Sequence, residues 1–121
     1  MPPREFDYIM PGEFAHHQRT FIEWPVKESL CWPDNFQEVC SGYARVVKAI
    51  AAFEPVTIIV NPGEAHSVAK QCGLDVEIIE IEHDDAWFRD NGPTFITDNI
   101  GNVAGVNWNF NAWGEKYAPW D

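Results

Sequence analysis

Val56-Thr57-Ile58-Ile59-Val60 decides how this chain folds. All five side chains are β-branched, stiff at χ1 and suited to a pleated surface. No polar residue alternates among the apolar ones, so the run reads as a strand buried on both faces. Upstream, Phe36, Val39, Cys40, Tyr43, Val46, Val47, Ile50 and Phe53 recur at spacings of three and four. That is one apolar stripe at helical period. Pro55 ends the helix, because the residue before a proline avoids the α region. Asp34 or Asn35 is placed as its N-cap, with Glu38 three residues after Asn35 as in a capping box.

Outward from this pair the pattern continues. Thr20–Trp24 reads as a strand stopped by Pro25, and residues 26–34 as a loop. Asn61-Pro62-Gly63 is a turn, residues 64–72 a short helix, and Gly73 its C-terminal cap. Val76, Ile78 and Ile81 mark another strand, with Glu77, Glu80 and Glu82 partly alternating outward. Residues 83–92 read as a loop. Thr94–Thr97 and Val103–Phe110 then read as a hairpin turning through Asn99-Ile100-Gly101-Asn102. Strand, helix, strand, helix, strand and hairpin make an α/β order.

Composition sets bounds on function. The 121 residues carry 19 acidic and 8 basic side chains, a formal net charge of −11. That balance speaks against nucleic acid and anionic membranes, which need clustered Lys and Arg. No run approaches the length of apolar chain that spans a bilayer. Three cysteines, Cys31, Cys40 and Cys72, cannot all pair within one chain and form no CxxC, so free thiols in a reducing, cytoplasmic setting are expected. His16, His17, His66 and His83 lack zinc-site spacing, and no metal is expected.

The stretch that carries chemistry is Asp84-Asp85-Ala86-Trp87-Phe88-Arg89-Asp90-Asn91-Gly92-Pro93, a loop that follows a strand. Loops at strand ends of open α/β sheets favour ligands. A carboxylate beside an aromatic face suits a planar cation: the oxygens accept two parallel N–H bonds and the ring quadrupole attracts the charge. The same residues also admit a plain structural reading, with Arg89 paired to Asp84, Asp85 or Asp90 and Trp87 packed as core.

Three blocks carry a resemblance. They are Pro11-Gly12-Glu13-Phe14-Ala15-His16-His17-Gln18-Arg19-Thr20 leading to Glu23-Trp24-Pro25; the Asp84–Thr94 stretch; and Gly105-Val106-Asn107-Trp108-Asn109-Phe110-Asn111-Ala112-Trp113-Gly114. In this order and spacing they resemble the agmatine deiminase branch of the bacterial-type peptidyl-arginine deiminase family. His16 stands where the family pattern has Pro, and Phe21 where it has Trp.

The resemblance implies a pentein-type α/β propeller, a ring of ββαβ blades with the active site in its centre. This chain would give the first blade and part of the second, residues 1–121 forming the N-terminal third of a single catalytic domain without an internal boundary. It also implies hydrolysis of agmatine to N-carbamoylputrescine and ammonia, a polyamine-forming reaction, with no cofactor. A Cys thiolate and a His acid–base would both lie past residue 121. Asp90 matches the family's first guanidinium-binding carboxylate and Trp87 the aromatic lining the pocket. Asp84 and Asp85 either contact the distal ammonium of the substrate or brace the loop. Arg89 is expected as a brace, and Asn111 and Trp113 as rim, core or turn residues. The expected partner is therefore a small cationic guanidinium compound, with homo-oligomerisation left open. Peptidyl-arginine is the alternative substrate, and a non-catalytic binding module the alternative class.

Overall fold

The structure is a computed structural model that describes residues 2–73 and 76–116. Trp120, which follows Trp108 and Trp113 towards the end of the sequence, lies outside those residues. The chain divides into two units. His17–Phe88 forms a sheet unit, and residues 2–16 with 89–116 form a hairpin unit.

The sheet unit runs β1 (Thr20–Glu23), α1 (Phe36–Ala51), β2 (Val56–Val60), α2 (Ala65–Cys72) and β3 (Glu77–Glu80). The three strands are parallel in the order β1-β2-β3, with Ile22 opposite Ile58 and Ile58 opposite Ile78. Each parallel step needs a crossover, and α1 and α2 supply them. All five β2 residues are buried. Val56, Ile58 and Val60 join Trp24, Cys40, Ala44, Val47, Val68 and Cys72 in the hydrophobic core. Because side chains alternate across a strand, Thr57 points to the opposite face. There its hydroxyl accepts from Arg19 (2.7 Å) and donates to Glu77 (2.7 Å), while Arg19 also pairs with Glu77 at 2.6 Å. The central strand therefore buries a polar residue fully bonded to its two neighbours.

Several sequence expectations are corrected here. Asn35 is the N-cap of α1, but its side chain makes no capping hydrogen bond; only its carbonyl accepts, from Val39 N–H at 3.0 Å. The apolar stripe is narrower than the periodicity implies: Phe53 is 90% exposed and Val46 is exposed, because α1 ends at Ala51 and its buried line runs through Cys40, Ala44 and Val47. β3 stops at Glu80, leaving Ile81 exposed. Gly73 caps α2 as expected, at φ 94°, its N–H bonded to the Ala69 carbonyl.

In the hairpin unit, β4 (Thr94–Thr97) and β5 (Val103–Val106) pair antiparallel, Thr94 opposite Val106 and Thr97 opposite Val103. Asp98 holds the turn, one carboxylate oxygen accepting from the N–H groups of Ile100 and Asn102. Ile9 adds a two-way bridge to Thr97. β5 is four residues long and does not reach Phe110, because residues 107–111 leave the ladder. Nor is the segment 83–92 all loop: Phe88–Asn91 closes one helical turn, α3. A last element, α4 (Ala112–Glu115), is equally absent from the sequence pattern, and its φ angles of 51°, 57°, 82° and 64° are all left-handed.

Candidate functional site

In the sheet unit, chemistry gathers at the carboxyl ends of the parallel strands, where open α/β sheets place ligands. His83 stitches the three strand ends together. It is buried, its Nε2 lies 2.9 Å from the Trp24 carbonyl just past β1, and its Nδ1 lies 2.9 Å from the Ile81 carbonyl. Asn61, just past β2, accepts from the His83 N–H at 2.8 Å and donates to its carbonyl at 3.1 Å. Sequence reasoning gave neither residue this role. The only signal for Asn61 was its position in a turn directly after the buried strand.

That anchor leads straight into Asp84-Asp85-Ala86-Trp87. Asp85 is only 2% exposed. One carboxylate oxygen accepts from the Ser29 hydroxyl; the other accepts from Trp32 Nε1 at 3.1 Å and from Ala86 N–H at 2.7 Å. Trp32 stacks on Trp87 with ring centroids 5.8 Å apart and planes 28° from parallel. Trp87 is half-buried, and Asp84 is exposed. Neither Ser29 nor Trp32 was singled out from the sequence, since both lie more than fifty positions from Asp85.

All three thiols are pushed above the ordinary thiol value. Burial pushes Cys31 up, and the adjoining Asp85 carboxylate adds to that rise. Burial likewise raises Cys40 and Cys72, which sit in the core. A nucleophile needs the opposite shift. Among the described residues no group of three or more His, Cys, Asp or Glu is disposed to hold a metal ion.

In the hairpin unit, Asp90 stands on α3 at one side of an open cleft of about 220 Å3. Trp108, Asn109, Phe110, Asn111 and Trp113 line the rest. Phe110 and Trp113 meet edge to face at 5.2 Å and 87°, and Trp108 donates from Nε1 to the Thr94 hydroxyl at 2.8 Å. The left-handed turn α4 aims Trp113 into this group. Non-glycine residues pay about 1–2 kcal/mol each for that conformation. The Asn111 side chain offsets part of it by accepting the Gly114 N–H at 2.9 Å. Asn111 and Trp113 are thus rim and turn residues; both are exposed and neither is core. Arg89 pairs with Glu13 at 2.5 Å. That replaces the expected aspartate partners, and both side chains are so exposed that the pair contributes little. A carboxylate set among aromatic faces offers both attractions a planar cation uses.

Residues 9–121 match the sequence profile of the Porphyromonas-type peptidyl-arginine deiminases. The chain belongs to that family. It is similar to the agmatine deiminase of Stutzerimonas stutzeri, 42% identical over 125 residues that cover 98% of this chain and 33% of that protein. The agmatine deiminase of Pseudomonas aeruginosa (strain LESB58) is 40% identical over 123 residues, with the same coverage. The solved agmatine deiminase of Enterococcus faecalis superposes with a TM-score of 0.91 at 33% identity, over 98% of this chain and 33% of that one. The chain spans about a third of the length of these relatives. Its α/β architecture is that of the corresponding part of their pentein fold. No helix among the described residues is long and apolar enough to cross a membrane.

Proposed function

We propose that this chain is the N-terminal, substrate-holding portion of an agmatine deiminase, contributing the first blade and part of the second to a pentein ring. The carrying observation is the match to agmatine deiminases along 98% of the chain, with a TM-score of 0.91 to one of known structure. Asp90 accepts two parallel N–H bonds from the guanidinium, fixing the plane of its carbon. Trp87 lies along the cationic substrate, and Asp84 supplies negative charge for the distal ammonium.

The bond-making groups come from outside residues 1–121: Cys40 and Cys72 are packed in the hydrophobic core, and Cys31, like them, is shifted away from the thiolate form. A cysteine thiolate adds to the guanidinium carbon. A histidine protonates the departing nitrogen and ammonia leaves, giving a cysteine-bound amidino intermediate. Water, deprotonated by the same histidine, attacks that carbon and releases the thiolate with N-carbamoylputrescine. Water and agmatine in, ammonia and the ureido product out, balance the reaction without a redox partner. Binding a cation beside the thiol also favours its thiolate form.

Peptidyl-arginine remains the second reading because the family profile carries that name. A ureido colour assay on the protein as its gene encodes it, run with agmatine and with an arginine-containing peptide, separates the two. Turnover of agmatine alone is expected. Turnover of the peptide in preference to agmatine would replace this reading with the second, and turnover of neither would remove both. The 121-residue chain by itself is expected to be inert.

A further inference from the structure

We infer that Asp85 is a positioning residue that sets the Trp87 indole through Trp32 and does not itself contact the substrate. The inference rests on the proposal that Trp87 lines the guanidinium site. An indole N–H is a donor only, so the 3.1 Å bond from Trp32 Nε1 fixes the rotation of that ring against a single acceptor, the Asp85 carboxylate. The Trp32 ring then forms the surface on which Trp87 lies, 5.8 Å away and 28° from parallel. The same carboxylate oxygen also takes the N–H of Ala86, the residue directly before Trp87. Asp85 therefore holds Trp87 indirectly at two points, through the main chain of the preceding Ala86 and through the Trp32 ring stacked on it.

The carboxylate has little left to offer a ligand. One oxygen has both acceptor positions filled, the other holds the Ser29 hydroxyl, and the residue is 2% exposed. Ser29 in turn accepts the Cys31 N–H at 3.1 Å, so the segment carrying Trp32 is tied to the same centre. A buried network of this kind, with its polar atoms satisfied, rigidifies what it touches.

The test uses the protein as its gene encodes it and reads two quantities: the far-UV circular-dichroism couplet of the stacked indoles, recorded without substrate, and the kinetics with agmatine. Loss of the couplet in Trp87→Phe assigns it. Asp85→Ala is expected to abolish the couplet and raise KM about tenfold while kcat changes much less. Asp85→Asn keeps an oxygen for Trp32 and Ala86 and an amide N–H for Ser29. It is expected to restore the couplet and bring KM back to within about threefold of wild type. If Asp85→Ala does not melt cooperatively, Trp32→Phe takes its place: the ring remains but its anchoring N–H is gone, and KM should rise about threefold or more. A couplet that survives Asp85→Ala, or a KM unmoved by Trp32→Phe, overturns the inference. So does an Asp85→Asn variant that keeps the couplet yet binds agmatine as poorly as Asp85→Ala, because the charge itself would then be the ligand. An unchanged KM in Trp87→Ala removes Trp87 from the pocket instead, and the couplet series still decides what Asp85 does.

Discussion

At the scale of single residues, Asp90 and Asp85 show how two aspartates five positions apart come to differ. Asp90 is exposed on a cleft wall among aromatics, whereas Asp85 is buried and fully engaged. Asp90→Asn should lower kcat/KM for agmatine by about 10- to 100-fold, the worth of a charge-assisted hydrogen bond. Its urea midpoint should match wild type, since a surface substitution changes stability by at most about 0.5 kcal/mol. The thiols make a second residue-level prediction. Burial raises Cys40 and Cys72, so the folded chain keeps those protons at a pH where the unfolded chain has released them. Their stabilisation is complete below the ordinary thiol value of about 8.5 and is lost as pH rises through the folded values. Urea melts should therefore show stability falling above about pH 8.5, and falling less in the Cys40→Ala/Cys72→Ala variant. A flat profile in wild type would contradict the burial of these thiols.

At the scale of elements, β2 and α1 carry the fold. Ile58 has no exposed surface and sits between β1 and β3 against the helices. Truncating it to Ala should cost about 2–5 kcal/mol in urea unfolding, whereas Phe53→Ala should cost almost nothing. Asn35→Ala makes a sharper contrast. A bonded N-cap is worth about 1 kcal/mol, but the Asn35 side chain makes no capping bond, so the loss should stay under about half of that. These contrasts mark what could be read from the chain. β2 was legible to the residue because five consecutive β-branched side chains are bounded by Pro55 on one side and Asn61-Pro62-Gly63 on the other. The α1 stripe was legible at Cys40 and Val47, too wide at Val46, and too long at Phe53, which continues the period after the backbone has stopped following it. Asn35 was legible as the N-cap position, though not its missing side-chain bond; Ser29 and Trp32 were not legible, because what they bond is fixed by folding and not by neighbours in sequence. The left-handed turn at Ala112–Glu115 was hidden for another reason: Ala, Trp and Glu there adopt a backbone that their own preferences oppose.

At the scale of the whole molecule, the charge of −11 becomes specific once the family is known. It describes a protein whose proposed ligand is a cation, with Asp84 and Asp90 among the carboxylates nearest the aromatics in sequence. The hairpin unit also leaves Phe95, Val103 and Trp108 exposed, Trp108 at 60%. Exposed strands and large apolar side chains of this sort favour association. The 121-residue chain should therefore show a mass that grows with concentration in light scattering, and a sharp monomeric profile at all concentrations would count against that reading. The most direct measurement follows guanidino-labelled agmatine by NMR with the protein as its gene encodes it, alongside Asp90→Asn. The account predicts conversion to N-carbamoylputrescine with one ammonia per turnover, and a variant slowed by at least about tenfold. Labelled agmatine left unchanged by the wild-type protein, or converted equally fast by Asp90→Asn, would contradict it.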